Sequence, residues 1–107
     1  MFTRLVEVST KPGKSQQVAS TINEKVLPIL RQQAGFLDVT ILTSEMESNR
    51  VLALSFWKTK EDAERCQREY YAKVTEILAN LVESPPAVRT FHVHTSTDHK
   101  IAVGLAA

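Results

Sequence analysis

One cysteine, Cys66, stands alone among the 107 residues. A lone cysteine excludes an internal disulfide and a cysteine-based zinc site, and it makes a reducing cytoplasm the expected compartment. Charge of one sign is as scarce: 13 Lys plus Arg face 12 Asp plus Glu, leaving a net charge of +1 and no long block of either. Nucleic acid, which requires a basic face, is disfavoured as a partner. No apolar stretch approaches the roughly 18 residues of a membrane span, so no membrane partner is expected. The opening run Met1 to Val8 alternates in the manner of a strand and lacks the apolar core of a signal peptide. There is no repeat with a period of about 20 to 50 residues, no low-complexity run, and no linker within residues 1–97.

A chain of this length forms one domain with a real core but much surface for its volume, so a second copy would help it. Phe2 to Ser9 reads as a strand, closed by the turn Thr10-Lys11-Pro12-Gly13. From Ser15 to about Gln33, Val18, Ile22, Val26 and Ile29/Leu30 recur at helical steps, with Ser15 as N-cap and Gly35 as the stop. Pro28 cannot donate to the carbonyl four residues back, which predicts a kink or an early end near Val26. Phe36 to Ser44 and Val51 to Lys58 read as a hairpin around the polar turn Glu45 to Arg50. Thr59 and Asp62 form a capping box with Asp in the usual Glu or Gln place. The helix that follows presents Ala63, Cys66, Tyr70, Val74, Ile77/Leu78 and Leu81, runs to about Val82, and is stopped by Ser84-Pro85-Pro86. Val88 to Thr95 is a final strand. Asp98 to Ala107 is a tail that either frays or docks on a partner protomer.

This order, β-α-β-β-α-β, is an α+β class in which two helices cover one face of a four-stranded sheet. The other face is apolar as well. Leu52, Leu54 and Phe56 oppose Val51, Ala53, Ser55 and Trp57, and Leu5 opposes Phe2, Val6 and Val8, with Arg4 and Glu7 as exceptions to the alternation. Each large apolar side chain left in water forgoes roughly 1.5–3 kcal/mol, so a homodimer through the helix-free sheet face is expected.

Three segments carry a family resemblance: Lys11-Pro12-Gly13-Lys14 after the first strand, Gln33-Ala34-Gly35-Phe36 before the second, and Phe56-Trp57-Lys58-Thr59-Lys60-Glu61-Asp62-Ala63 at the junction into the second helix. In this order and spacing the chain resembles the antibiotic biosynthesis monooxygenase-like (ABM) domain of the dimeric α/β barrel superfamily, over about residues 1–95. The resemblance implies a ferredoxin-like fold with an antiparallel sheet. It also implies a pocket for a small apolar aromatic ligand and cofactor-independent oxygenation of a quinol or polycyclic phenol. A non-catalytic ligand-binding dimer of the same fold is the alternative, and haem binding or degradation a third.

The resemblance places Trp57 on the pocket wall, where its indole N–H could meet a ligand; the other reading is a core residue anchoring the second helix. Thr3 stands where haem-degrading relatives carry an amide, and either hydrogen-bonds a substrate oxygen or decorates the strand. Glu7 is a general base if a helix covers it and a solvated end-of-strand glutamate otherwise. On the second helix, places that hold histidine in many relatives hold Cys66, Tyr70 and Tyr71, and Glu76 stands near the place of the haem ligand. Cys66, on the apolar stripe, reads as a small buried hydrophobe. Adjacent on a helix, Tyr70 and Tyr71 are not expected to face one pocket together. His92 and His94, two apart on a strand beside Thr90, share a side and are candidates for proton transfer. A metal site would want a third ligand, and none is placed to serve, so no metal is expected; that no cofactor is needed is what the resemblance implies.

Overall fold

Register explains most of the architecture. The structure, a computed structural model, describes residues 1–97. Its strands are β1 (Phe2–Ser9), β2 (Phe36–Thr43), β3 (Arg50–Trp57) and β4 (Ala87–His92), in one sheet of order β2-β3-β1-β4. Every pairing is antiparallel. The helices are α1 (Ser15–Thr21), α2 (Leu27–Arg31) and α3 (Lys60–Leu78), the last extended by a 3₁₀ turn, Ala79–Leu81. The fold is the ferredoxin-like α+β arrangement, and it leaves the two faces of the sheet unequally covered. Phe2, Val8, Val51 and Trp57 point under the helices and are buried with Val18, Ile22, Val26, Leu30, Ala63, Cys66 and Leu78. On the bare face, Leu5 lies opposite Leu54 and Glu7 opposite Leu52, while Leu42 and Phe91 are exposed. The tail proposed for residues 98–107 lies outside the described residues.

Pro28 does not end its helix. Between α1 and α2, Ile22–Val26 widens into a π segment in which Leu27 N–H donates to Ile22 O, five residues back, and Pro28 falls in the first turn of α2. There its missing donor matches groups that a helix start leaves unbonded anyway. Nor does Ser15 cap α1: Lys14 is the N-cap and makes no side-chain bond. Thr59 does cap α3, accepting from Asp62 N–H at 3.1 Å. Its hydroxyl also donates to Asp62 Oδ2 at 2.9 Å, so the short Asp closes the box on the side chain. The last strand is shorter than its sequence pattern. Val93 N–H reaches Met1 O at 3.0 Å, and the ladder with β1 closes at the Phe2–His92 pair. His94 therefore lies beyond β4 and does not share a strand face with His92.

Gly35 is held by a tight approach. It has φ +82°, and a Cβ there would sit 2.7 Å from Asp62 Cβ, while its carbonyl accepts from Lys58 N–H at 2.8 Å. Gly35→Ala is expected to lower unfolding stability by about 1–3 kcal/mol, read as an earlier urea midpoint. A midpoint equal to wild type would contradict this account of the α3 start.

Candidate functional site

The cross-strand rows under the helices assemble the site. Arg4 on β1 pairs with Ser55 on β3, which pairs with Val39 on β2; the next row is Val6, Ala53 and Ile41. Above these rows lies a cavity of about 80 Å³, closed on one side by Ile22, Val26 and Leu30. Its opposite wall is α3, which contributes Cys66, Tyr70, Val74 and Leu78 in one row and Gln67, Tyr71 and Thr75 in the adjacent row. Each row repeats every four residues, and neighbouring rows are about 100° apart on a 3.6-residue helix. The cavity is broad enough to span both, so Tyr70 and Tyr71 line it together. The sequence expectation that only one could do so fails because it assumed a narrower contact. Tyr71, Thr75, Leu78 and Pro86 also border an outer groove of about 490 Å³, which makes them the mouth.

Electrostatically the cavity is dominated by Arg4. Among the described residues it is the one charged side chain in the lining, and it is only 7% exposed. Its Nε and Nη2 are enclosed and have no hydrogen-bond partner. Burial lowers its pKa, opposed by the nearby Cys66 and Tyr71. Burial likewise pushes the Cys66 thiol up, although Arg4 draws it down. Cys66 is thus the buried small side chain that its helical position implies, with no sign of thiolate activation.

Trp57 stands one row away from Arg4 and is fully buried. It meets Phe36 edge-on at 5.5 Å between ring centroids. Its indole N–H donates to Ser55 Oγ at 2.9 Å. Trp57 therefore supports a cavity residue and does not itself line the space. Thr3 and Glu7 fall on the helix-free face. The Thr3 hydroxyl donates to Ser55 O at 2.9 Å. Glu7 pairs with Arg50 at 2.9 Å and approaches Arg89 at 3.8 Å, so it stands in an ion-pair network spanning three strands. His92 stacks edge-on against Phe2 at 5.3 Å and is exposed; neither it nor His94 lines the cavity. Glu76 is exposed on α3 outside the cavity, and among the described residues no histidine lines it. Among the described residues no three His, Cys, Asp or Glu side chains gather as metal ligands, and no helix is long and apolar enough to cross a membrane.

Arg4 is the functional candidate that sequence pattern passed over. The signal was present as a charge on the Phe2, Val6 and Val8 side of β1, where alternation demands an apolar residue.

The family model described as antibiotic biosynthesis monooxygenase matches residues 1–75 of the chain. No curated protein matches it significantly. Among solved structures, a monooxygenase from Streptomyces coelicolor in complex with the ligand nanaomycin D is 18% identical with a TM-score of 0.76, over 89% of this chain and 88% of that one. A cofactor-independent oxygenase from Streptomyces nogalater is 14% identical with a TM-score of 0.73, over 90% of this chain and 95% of that one. A protein of unknown function from Nitrosomonas europaea is 15% identical with a TM-score of 0.74, over 90% and 91% of the two chains. At such identities the likeness is one of fold.

Proposed function

Because this chain belongs to the antibiotic biosynthesis monooxygenase family, we propose that its cavity oxygenates a small electron-rich aromatic, a quinol or polycyclic phenol, with O₂ and without a cofactor. One observation supports the reading above others: a largely apolar space between sheet and helices into which two phenols, Tyr70 and Tyr71, project together. The Streptomyces coelicolor monooxygenase, crystallised with nanaomycin D, offers a precedent for the ligand class on this fold.

In such a reaction the substrate is its own reductant. A ring-activated methylene loses a proton, and the carbanion gives electrons to O₂. A C–O bond then forms, the methylene becomes a carbonyl, and the second oxygen atom leaves as water. The protein's share is to exclude bulk water, hold the ring and stabilise the developing oxyanion. Tyr70 and Tyr71 are the proton-handling and orienting groups of this proposal; His92 and His94, outside the cavity, are not assigned that role. The space of about 80 Å³ is smaller than the roughly 150 Å³ that takes up one benzene ring in an engineered apolar cavity. A fused-ring ligand in this proposal therefore extends through the mouth at Tyr71 and Pro86 into the outer groove.

The functional unit of this proposal is a homodimer formed through the helix-free face. Oxygen uptake by the metal-free protein with a panel of quinols and anthrones tests the chemistry. At least one substrate should be consumed, and Tyr70→Phe or Tyr71→Phe should slow its turnover at least about tenfold, within the range of general acid–base effects. No uptake from any member, with clear thermal stabilisation by an aromatic, would instead establish the non-catalytic binding module. That second reading draws on the absence, among the described residues of the lining, of any group that ordinarily titrates near neutral pH.

A further inference from the structure

A buried guanidinium with two unpartnered nitrogens calls for an explanation. Removing a charge from water is costly, and buried charges are normally paired or hydrogen-bonded. Two of the three guanidinium nitrogens of Arg4, Nε and Nη2, are enclosed with no partner. Hydroxyl, thiol and apolar groups face it from the packed elements. Ser55 lies across on β3 and Thr90 across on β4, Cys66 and Tyr71 approach from α3, and Ile22, Val26 and Leu30 close the far side. No described carboxylate pairs with it. The side chain nevertheless borders the cavity, where a ligand oxygen could reach it.

We propose that Arg4 makes this cavity selective for an aromatic anion, a ring bearing a phenolate, enolate or carboxylate oxygen that pairs with the guanidinium inside the apolar space. The inference rests on the cavity being the ligand site. It adds to that reading the charge state of the ligand and the residue that selects it. In water an exposed arginine holds such an oxygen weakly, because solvent screens the pair. Enclosed by Ile22, Val26 and the α3 rows, the same pair is screened far less. A phenol entering the site should therefore ionise more readily than in solution. For an oxygenase this places the electron-rich form of the substrate next to O₂ without a separate strong base.

Three probes of one shape test it: para-nitrophenol, which ionises with a change of colour; para-nitroanisole, which cannot ionise; and para-nitrobenzoate, a permanent anion. Wild type should bind para-nitrobenzoate and para-nitrophenolate at least about tenfold more tightly than the anisole, and should shift the phenol's colour transition at least about one pH unit downward. Arg4→Met should abolish both preferences while still binding the anisole, and Arg4→Lys should keep part of them. Arg4→Met should also raise Tm by at least about 4 °C, because an uncompensated buried charge has been replaced by an apolar chain of similar length. Equal affinity for anion and anisole in wild type would overturn the assignment of Arg4 and leave the cavity as the ligand site. Binding of none of the three would overturn both. A lower Tm for Arg4→Met, with anion preference retained by the variant, would make Arg4 a structural residue and end the proposal.

Discussion

Trp57→Ala is expected to lower unfolding stability by about 3–5 kcal/mol, the range typical of aromatic-to-alanine changes in cores. The indole is fully buried and belongs to the hydrophobic cluster that joins β1 and β3 to the helices. It contacts Phe36 edge-on, an arrangement that contributes beyond the area buried. Its deletion leaves a void between elements that are fixed by the sheet register, so they close over it only partly. It also deprives the Ser55 hydroxyl of its donor. Against a typical total of about 5–15 kcal/mol, such a loss leaves much of the protein vulnerable at ordinary temperature. Urea denaturation would show it as a lower midpoint with an unchanged slope. A cost below about 1 kcal/mol would mean that Trp57 is not the anchor its burial implies. Loss of activity in Trp57→Ala would accordingly report unfolding as much as chemistry. Trp57→Phe, which keeps a ring against Phe36 and removes only the N–H and the second ring, separates the two.

Leu54→Asp is expected to dissociate the proposed homodimer. Leu54 sits mid-sheet on the helix-free face, between Leu5 on β1 and Thr40 on β2. Two copies meeting sheet to sheet around a two-fold axis would each bury that position, so one substitution introduces two carboxylates into an apolar contact. An uncompensated buried charge of this kind costs several kcal/mol, enough to raise the dimer dissociation constant by at least about a hundredfold. Sedimentation should give a dimer for wild type and a monomer for the variant. Lys73→Asp, on the exposed side of α3, should leave the mass unchanged. A monomeric wild type, or a dimer that tolerates Leu54→Asp, would place the interface elsewhere.

Elements with one dominant period were legible before the structure. The Phe2 to Ser9 alternation, the hairpin around Glu45 to Arg50 and the Thr59 cap all follow from side-chain spacing and local hydrogen bonding, and they recur with nearly the same bounds. The ends were less so. Pro28 predicts a kink or an early end near Val26, and the helix meets it with a π segment over Ile22–Val26, a form that the missing donor alone does not specify. The reach of β4 depends on where its partner begins, ninety residues earlier, as the pairing of Phe2 with His92 shows. For the site, parity placed Thr3 and Glu7 with Leu5, but it did not say which side the helices take. That is decided by Trp57 and Val51, the side chains of β3 that are completely enclosed. Arg4 was hidden by the same habit of reading. A charged residue in an apolar series looks like noise until the series is known to face inward.

The strand order has a consequence for how the chain is made. β1 is synthesised before both of its neighbours, since it pairs with β3 and β4, whose residues follow it by roughly half and then nearly all of the described sequence. Sequential synthesis cannot satisfy it early, because contacts this distant along the chain form slowly and late. Until Arg50–Trp57 has emerged, β1 has neither strand neighbour, and until Ala87–His92 follows it still presents one open edge. While these residues are being made, β1 thus stands as a strand with at least one open edge, which is the segment a cotranslational chaperone would be expected to hold.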